Sequence, residues 1–197
     1  MEFTILSSAL KAASAASGIK DRRPMINSVC LEFYSSEPDK LHVIGTDGHR
    51  LHYCTSNTEA NIGQNLQLIV PLSTVKDALR LKSDLLTFRF NAGAWSINNS
   101  LIFVPFDGKY PDWLRVLPAS LSGDIGQYNP AYLLDAHLAI CAYKGIKHES
   151  GAFVLTHNGS SGGVMCADGI ICIIMPLTAN RTQVQYVKPT LGLGVFK

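Results

Sequence analysis

A chain of 197 residues, 47% apolar and 16% charged, can bury a substantial core and is too poor in charge for extended disorder. Its formal net charge of +2 is no bulk signature of a nucleic-acid binder. The five cysteines are odd in number and include no C-x-x-C pair, which argues against a disulfide framework and for buried, reduced thiols.

The opening Met1-Glu2-Phe3-Thr4 lacks the basic and apolar regions of a secretory leader. The longest apolar run, residues 170–177, is far too short to span a bilayer. A cytoplasmic protein without a membrane partner is therefore expected. Asn98-Asn99-Ser100 and Asn158-Gly159-Ser160 fit a glycosylation pattern, but without secretion they read as hairpin turns.

From the N-terminus onward the chain repeats a strand–helix–strands pattern. A strand at 2–5 precedes a helix beginning Ser7-Ser8-Ala9-Leu10-Lys11-Ala12-Ala13. A second strand at 66–70 precedes Ser73-Thr74-Val75-Lys76-Asp77-Ala78-Leu79, and a third at 124–128 precedes Asn129-Pro130-Ala131-Tyr132-Leu133-Leu134-Asp135-Ala136. Leu10, Val75 and Leu133 correspond, as do Ala13, Ala78 and Ala136. Each helix starts at a Ser or Asn able to accept hydrogen bonds from the free N–H groups of the first turn. Pro130 suits the first helical position.

Short β-rich runs follow each helix: 28–34, 40–44 and 52–55; then 85–90, 94–97 and 101–106; then 152–157, 163–166 and 170–175. Asn-Gly and related turn residues separate them. The predicted class is α+β, three β-α-β-β-β units with antiparallel sheets. Three amphipathic helices each followed by hairpins also arise in unrelated α+β proteins, so the repeat alone names no function.

Two strings carry more. The apolar run 41–44 leads into Gly45-Thr46-Asp47-Gly48-His49-Arg50-Leu51, and further on comes Gly108-Lys109-Tyr110-Pro111-Asp112-Trp113-Leu114-Arg115-Val116-Leu117-Pro118. Each alone reads as a solvated turn or loop. In this order they resemble the bacterial DNA polymerase III β sliding clamp family, whose middle domain carries a TDGHRL turn and a G-x-[FY]-P-D-[YW]-x-R-V-L-P segment. Tyr132-Leu133-Leu134-Asp135 and Ile173-Ile174-Met175-Pro176-Leu177 resemble the helix and terminal strand of that family's last domain.

The resemblance implies a DNA clamp-like fold with sheets outside and helices on the inner face. Residues 1–118 would form a full domain of two units, 119–180 a half domain of one unit, and 181–197 a tail. The family's first domain and half of its last have no counterpart. A family-sized ring would take four copies of such a chain, and an unpaired half domain exposes an apolar face. A homo-oligomer, tetramer or dimer, is expected.

In that family a groove between the middle and last domains receives partner peptides. Carried over by motif, its walls here would be Thr46, Gly48, His49, Arg50 and Leu51; then Pro111, Arg115 and Val116. Tyr132, Ile173, Met175, Pro176 and Leu177 would close the far side, with Ile26 as an added apolar contact. Apolar walls with a few polar groups suit extended peptides.

Charge is distributed unevenly. The helices and their exits carry nine cations (Lys11, Lys20, Arg22, Arg23, Lys76, Arg80, Lys82, Lys144 and Lys147) against three anions, and the remainder carries eight against twelve. Basic helices fit a clamp whose inner face meets double-stranded DNA through sequence-independent phosphate contacts. They equally fit solvated helix faces with cations at helix C-termini.

Asp47 and His49 are close in sequence but lack a nucleophile or phosphate loop, and His49 and His52 lack further metal ligands. No cofactor, metal or catalysis is expected. The leading expectation is a shortened, phage- or mobile-element-like sliding clamp, a processivity factor for a DNA polymerase or other proteins with clamp-binding peptides. The alternative is a decoy that sequesters such proteins or caps a host clamp. In the tail, Thr190-Leu191-Gly192-Leu193-Gly194-Val195-Phe196 weakly resembles a clamp-binding peptide and reads equally as an extra strand or a loose terminus.

Overall fold

The structure, a computed structural model, describes residues 1–148 and 153–177. The Thr190–Phe196 motif lies outside them. Strand β1 (Glu2–Leu6) runs directly into helix α1 (Ser7–Ser14), and a 3-10 turn (Pro24–Ile26) leads to β2 (Ser28–Phe33), β3 (Lys40–Thr46) and β4 (Arg50–Asn57). After the short β5 (Ala60–Asn61), the order repeats as β6 (Leu66–Pro71), α2 (Leu72–Arg80), β7 (Leu85–Asn91), β8 (Ala94–Ile97) and β9 (Leu101–Phe103). A second 3-10 turn (Trp113–Val116) precedes α3 (Pro130–Lys144) and the hairpin β10 (Gly163–Ala167) and β11 (Ile170–Ile174).

These elements form two antiparallel sheets, ordered β5-β1-β7-β8-β9 and β10-β11-β4-β3-β2-β6. The first two units are interlocked. Strand β1 pairs with β7 of the second unit, Thr4 opposite Thr87, while β6 pairs with β2 of the first, Cys30 opposite Ile69. Alternation along β1 turns Phe3 and Ile5 inward and fully buries both. The Phe3 ring stacks on Phe88 at 5.0 Å and meets the edge of Trp95 at 5.8 Å, so the exchanged strand is seated on its sister unit's core.

Helix α1 lies between α2 and α3 and packs on β3 and β4. It sits unusually close: a Cβ on Gly45 of β3 would fall 2.0 Å from the Ala13 carbonyl oxygen. Only hydrogen fits there. Ala13, Ala78 and Ala136 are all fully buried, as the repeat predicts, and so are Leu10 and Val75. Leu133 is only half-buried.

The expected side-chain caps hold for one helix of three. Asn129 accepts from the Ala131 N–H at 3.0 Å, but α1 and α2 have no side-chain cap. Instead the Ser7 N–H donates to the Asp84 carbonyl at 2.9 Å, and the Leu72 N–H to the Asn27 carbonyl at 3.0 Å. Each bond reaches the residue just before the sister unit's first post-helix strand. Interlocking satisfies the free N–H groups that serines were expected to satisfy.

The third unit departs from prediction in two strands. Residues 124–128 form no strand and belong to neither sheet, and of 153–157 only Thr156 bridges, to Val164. The unit joins the rest through β11, which pairs along β4 with Cys172 opposite His52. The six-stranded sheet therefore spans the expected boundary between 118 and 119. Cys30, Cys54, Cys141 and Cys172 are buried free thiols, but Cys166 is exposed, because it occupies the outward position on β10.

Candidate functional site: a groove between the first domain and the third unit

The turn between β3 and β4 is built on Asp47 and Thr46. The Asp47 carboxylate accepts from the N–H groups of His49 (2.8 Å) and Arg50 (3.0 Å), and the Thr46 hydroxyl donates to the Arg50 carbonyl (2.7 Å). Gly48 completes the turn at φ +89°, a left-handed conformation that a side chain would strain. This is the Asx-type turn the sequence allows, yet it is not merely solvated: Thr46 is buried and Arg50 half-buried.

Arg50 ties the turn to the third unit. Its Nε donates to Asp47 at 2.9 Å, its Nη1 reaches Asp135 on α3, and its guanidinium carbon lies 4.4 Å from the centre of the Tyr132 ring. A planar fork with several donors can serve all three at once; a lysine could not. A second tie is made by backbone: the Met175 N–H donates to the His49 carbonyl at 2.8 Å.

The other wall is the segment 113–120. It is held by two aromatic anchors, Tyr110 and Trp113, both buried in a second core with Ile44, Leu51 and Ile173. The Trp113 indole donates to Glu32 at 3.1 Å, and its ring stacks on Tyr53 at 4.9 Å. Pinned at its start, the segment leaves Arg115 and Val116 exposed, with Arg115 paired to Asp112 at 2.9 Å.

Together these pieces enclose a groove of about 610 Å³. Of the residues expected to wall it, Thr46, Gly48, Arg50, Arg115, Val116 and Met175 line it. Leu51 and Ile173 lie beneath it in the second core, and Tyr132 sits behind Arg50. Ile26 is buried in its 3-10 turn; His49, Pro111, Pro176 and Leu177 are absent from the lining. The sequence reading missed Pro118, Ser120 and the turn carrying Asn158, Ser160, Ser161 and Gly162, which supplies much of the far wall. The groove is thus more polar than a wholly oily cleft. Smallness was the available signal: a Cβ on Gly162 would meet Ile173 at 2.6 Å.

The nine helix-associated cations separate into groups. Lys11 borders two shallow hollows, one shared with Lys82 of the turn after α2 and the other with Lys147 after α3. Lys76 is exposed on α2; Arg80 pairs with Asp77 and Lys144 with Asp168. Lys20, Arg22 and Arg23 are exposed on the loop after α1, and Arg23 stands beside Gly48 at the groove turn. There the Arg23 side chain, bonded to Asp21, holds that carboxyl down at about 2.

Among the described residues, no group of three or more His, Cys, Asp or Glu side chains could hold a metal ion. No described helix is long and apolar enough to cross a membrane. His52 lies wholly buried between α1 and the β4–β11 pairing, its Nδ1 2.9 Å from the Ala12 carbonyl; burial lowers its pKa to about 4.

Comparison with known proteins agrees with this architecture. Residues 2–112 match the family described as DNA polymerase III beta subunit, central domain. The beta sliding clamp of Pseudomonas aeruginosa is 28% identical over 165 residues, covering 75% of this chain and 43% of that protein. The beta sliding clamp of Haemophilus influenzae is 32% identical over 105 residues, covering 50% of this chain and 28% of that protein. The chain thus spans less than half the length of these curated relatives.

Among solved structures, DNA polymerase III subunit beta from P. aeruginosa superposes with a TM-score of 0.68 at 19% identity, over 90% of this chain and 66% of that one. The Helicobacter pylori beta clamp bound to a DNA ligase peptide superposes with a TM-score of 0.65 at 16% identity, over 89% and 66%. These likenesses show the fold. With the match covering more than half its residues, the chain belongs to the DNA polymerase III beta subunit family.

Proposed function

We propose that this protein is a sliding-clamp-like processivity factor: it encircles duplex DNA together with further copies and presents its groove to extended peptides of a DNA polymerase or other partners. One observation carries the reading. Three stretches far apart in sequence, the 46–50 turn, the 113–120 segment and Met175, converge on a single groove beside the turn 158–162. Val116 and Met175 supply apolar anchor contacts, while Thr46, Ser120 and Ser161 offer hydrogen bonds to an extended backbone. Lys11, Lys76, Lys82 and Lys147, exposed on or beside the helices, supply the inner-face charge for phosphate contacts that carry no sequence preference.

Titration of a fluorescent Gln-Leu-x-Leu-x-Phe peptide by anisotropy tests the groove. Binding should weaken about tenfold or more in Val116→Asp and Met175→Asp, because anchor contacts dominate such sites, and should be unchanged in Lys76→Ala. Equal affinity in all three variants would refute the groove. Retention on nicked circular DNA, with release on linearisation, tests encirclement separately.

A further inference from the structure

Glu32 is 6% exposed and meets no lysine or arginine among the described residues. A buried carboxylate without a counter-cation is costly unless hydrogen bonds satisfy it, and an apolar residue often serves a core as well. Four neutral donors do satisfy this one. The Tyr34 hydroxyl (2.7 Å) and the Trp113 indole N–H (3.1 Å) donate to Oε2. The Gln67 amide (2.7 Å) and the Cys30 thiol (3.9 Å) donate to Oε1.

What these donors hold is the segment that walls the groove. With Cys30, Glu32 lies on the face of β2 turned to the second core, and it stands opposite Gln67 of β6. The Gln67 side-chain oxygen accepts from the Tyr110 N–H at 3.1 Å, which fixes its amide end toward Glu32. Both aromatic anchors of the segment therefore lead to one carboxylate, Trp113 directly and Tyr110 through Gln67. Beyond Trp113 the chain makes a single 3-10 turn, closed by the Leu117 N–H on the Leu114 carbonyl at 3.2 Å, and residues 115–120 line the groove. A glutamine at position 32 would offer one oxygen to four donors. Its NH2 would face either the Gln67 NH2 or the Trp113 N–H, and Gln67 cannot turn round to meet it without abandoning Tyr110.

We infer that Glu32 is a positioning residue of the groove: its carboxylate sets where the 115–120 wall stands, and so how far Val116 lies from the 46–50 turn. Glu32 itself is not in the groove lining and acts through Trp113 and Tyr110. An apolar residue could fill the same space, but it could not tether two points of one loop to the middle of a sheet. The inference rests on the peptide groove of the proposed function and is independent of DNA binding and self-association.

The test combines peptide titration with acrylamide quenching, on the full chain in a Trp95→Phe background where Trp113 is the remaining tryptophan. Glu32→Gln should weaken binding of the fluorescent Gln-Leu-x-Leu-x-Phe peptide by about fivefold to tenfold, the size of one lost hydrogen bond. It should also open Trp113 to the quencher. Leu86→Ala, a core truncation in the other sheet, controls for loss of stability and should alter neither readout. Trp113→Phe keeps a ring against Tyr53 without the N–H, and it serves as a second variant whether or not Glu32→Gln folds. It should weaken the peptide as Glu32→Gln does, and the double variant should go little further. Unchanged affinity in both single variants, a loss in Glu32→Gln with Trp113 still shielded, or losses that simply add would overturn the assignment. A wild type that ignores the peptide would instead overturn the groove reading, and this inference with it.

Discussion

The two interlocked units and the third unit are made from the same parts and differ in how well those parts are sealed. In residues 1–106, exchanged strands bury Phe3, Ile5, Leu86 and Phe88 completely, and helix starts are satisfied by the sister's carbonyls. In the third unit, Phe153 and Leu155, the counterparts of Leu86 and Phe88, are half-open, and the helix caps itself with Asn129. What stabilises a unit of this fold is therefore its neighbour. Local propensity builds the helix and the hairpin, and only exchange closes the core.

The sharpest way to break that comparison is one chemical change at two corresponding sites. Leu10→Ala should cost about 2–5 kcal/mol in urea denaturation, as expected for a sealed core position. Leu133→Ala, at a half-buried position, should cost clearly less. Equal costs would mean that the third unit is sealed as tightly as the first two.

Acid offers the next largest effect. His52 is held neutral in the fold with a pKa near 4, against 6.5 for the ordinary side chain, so unfolding takes up a proton between these values. Stability from this group is complete above about 6.5 and falls as the pH drops toward 4, by about 3 kcal/mol in all. A His52→Gln chain should lose that slope in a pH series of denaturation curves. Because His52 faces Cys172 across the β4–β11 seam, acid should loosen the join to the third unit before it disrupts the β1–β7 sheet.

Arg50 tests the seam from the other side. Arg50→Lys keeps the charge but cannot reach Asp47, Asp135 and Tyr132 together. It should cost about 1–3 kcal/mol, the range of charge-assisted hydrogen bonds, and it should raise amide exchange in α3 more than in α2. Asp77→Asn, which breaks only an exposed pair with Arg80, should change stability by less than about 1 kcal/mol.

How far the residues alone foretold this depends on the range of the forces involved. Hairpins such as β2–β3 and β7–β8 follow from alternation and turn residues, and α3 is announced by Asn129 and Pro130. The pairing of β1 with β7 is set by contacts between units, and nothing local to either strand reveals it. The same cause misplaced the caps of α1 and α2; residues 124–128 read as a strand but bond instead to the Gly159 N–H and the Leu177 N–H, outside either sheet. At the groove, the 46–51 and 108–118 motifs were legible as motifs. The Asn158–Gly162 turn was not, because small turn residues announce a bend without saying what the bend faces.

Gly45 deserves a last consequence. The bare backbone there lets α1 rest directly on the sheet; the turn that follows α1 carries Ser17, whose hydroxyl donates to the Ser28 carbonyl at 2.8 Å, and leads into the loop that brings Arg23 beside Gly48. A single added methyl would lift the helix, and the displacement would be handed along that loop to the rim of the groove. One hydrogen atom thus sets how closely the helix layer and the groove turn are coupled.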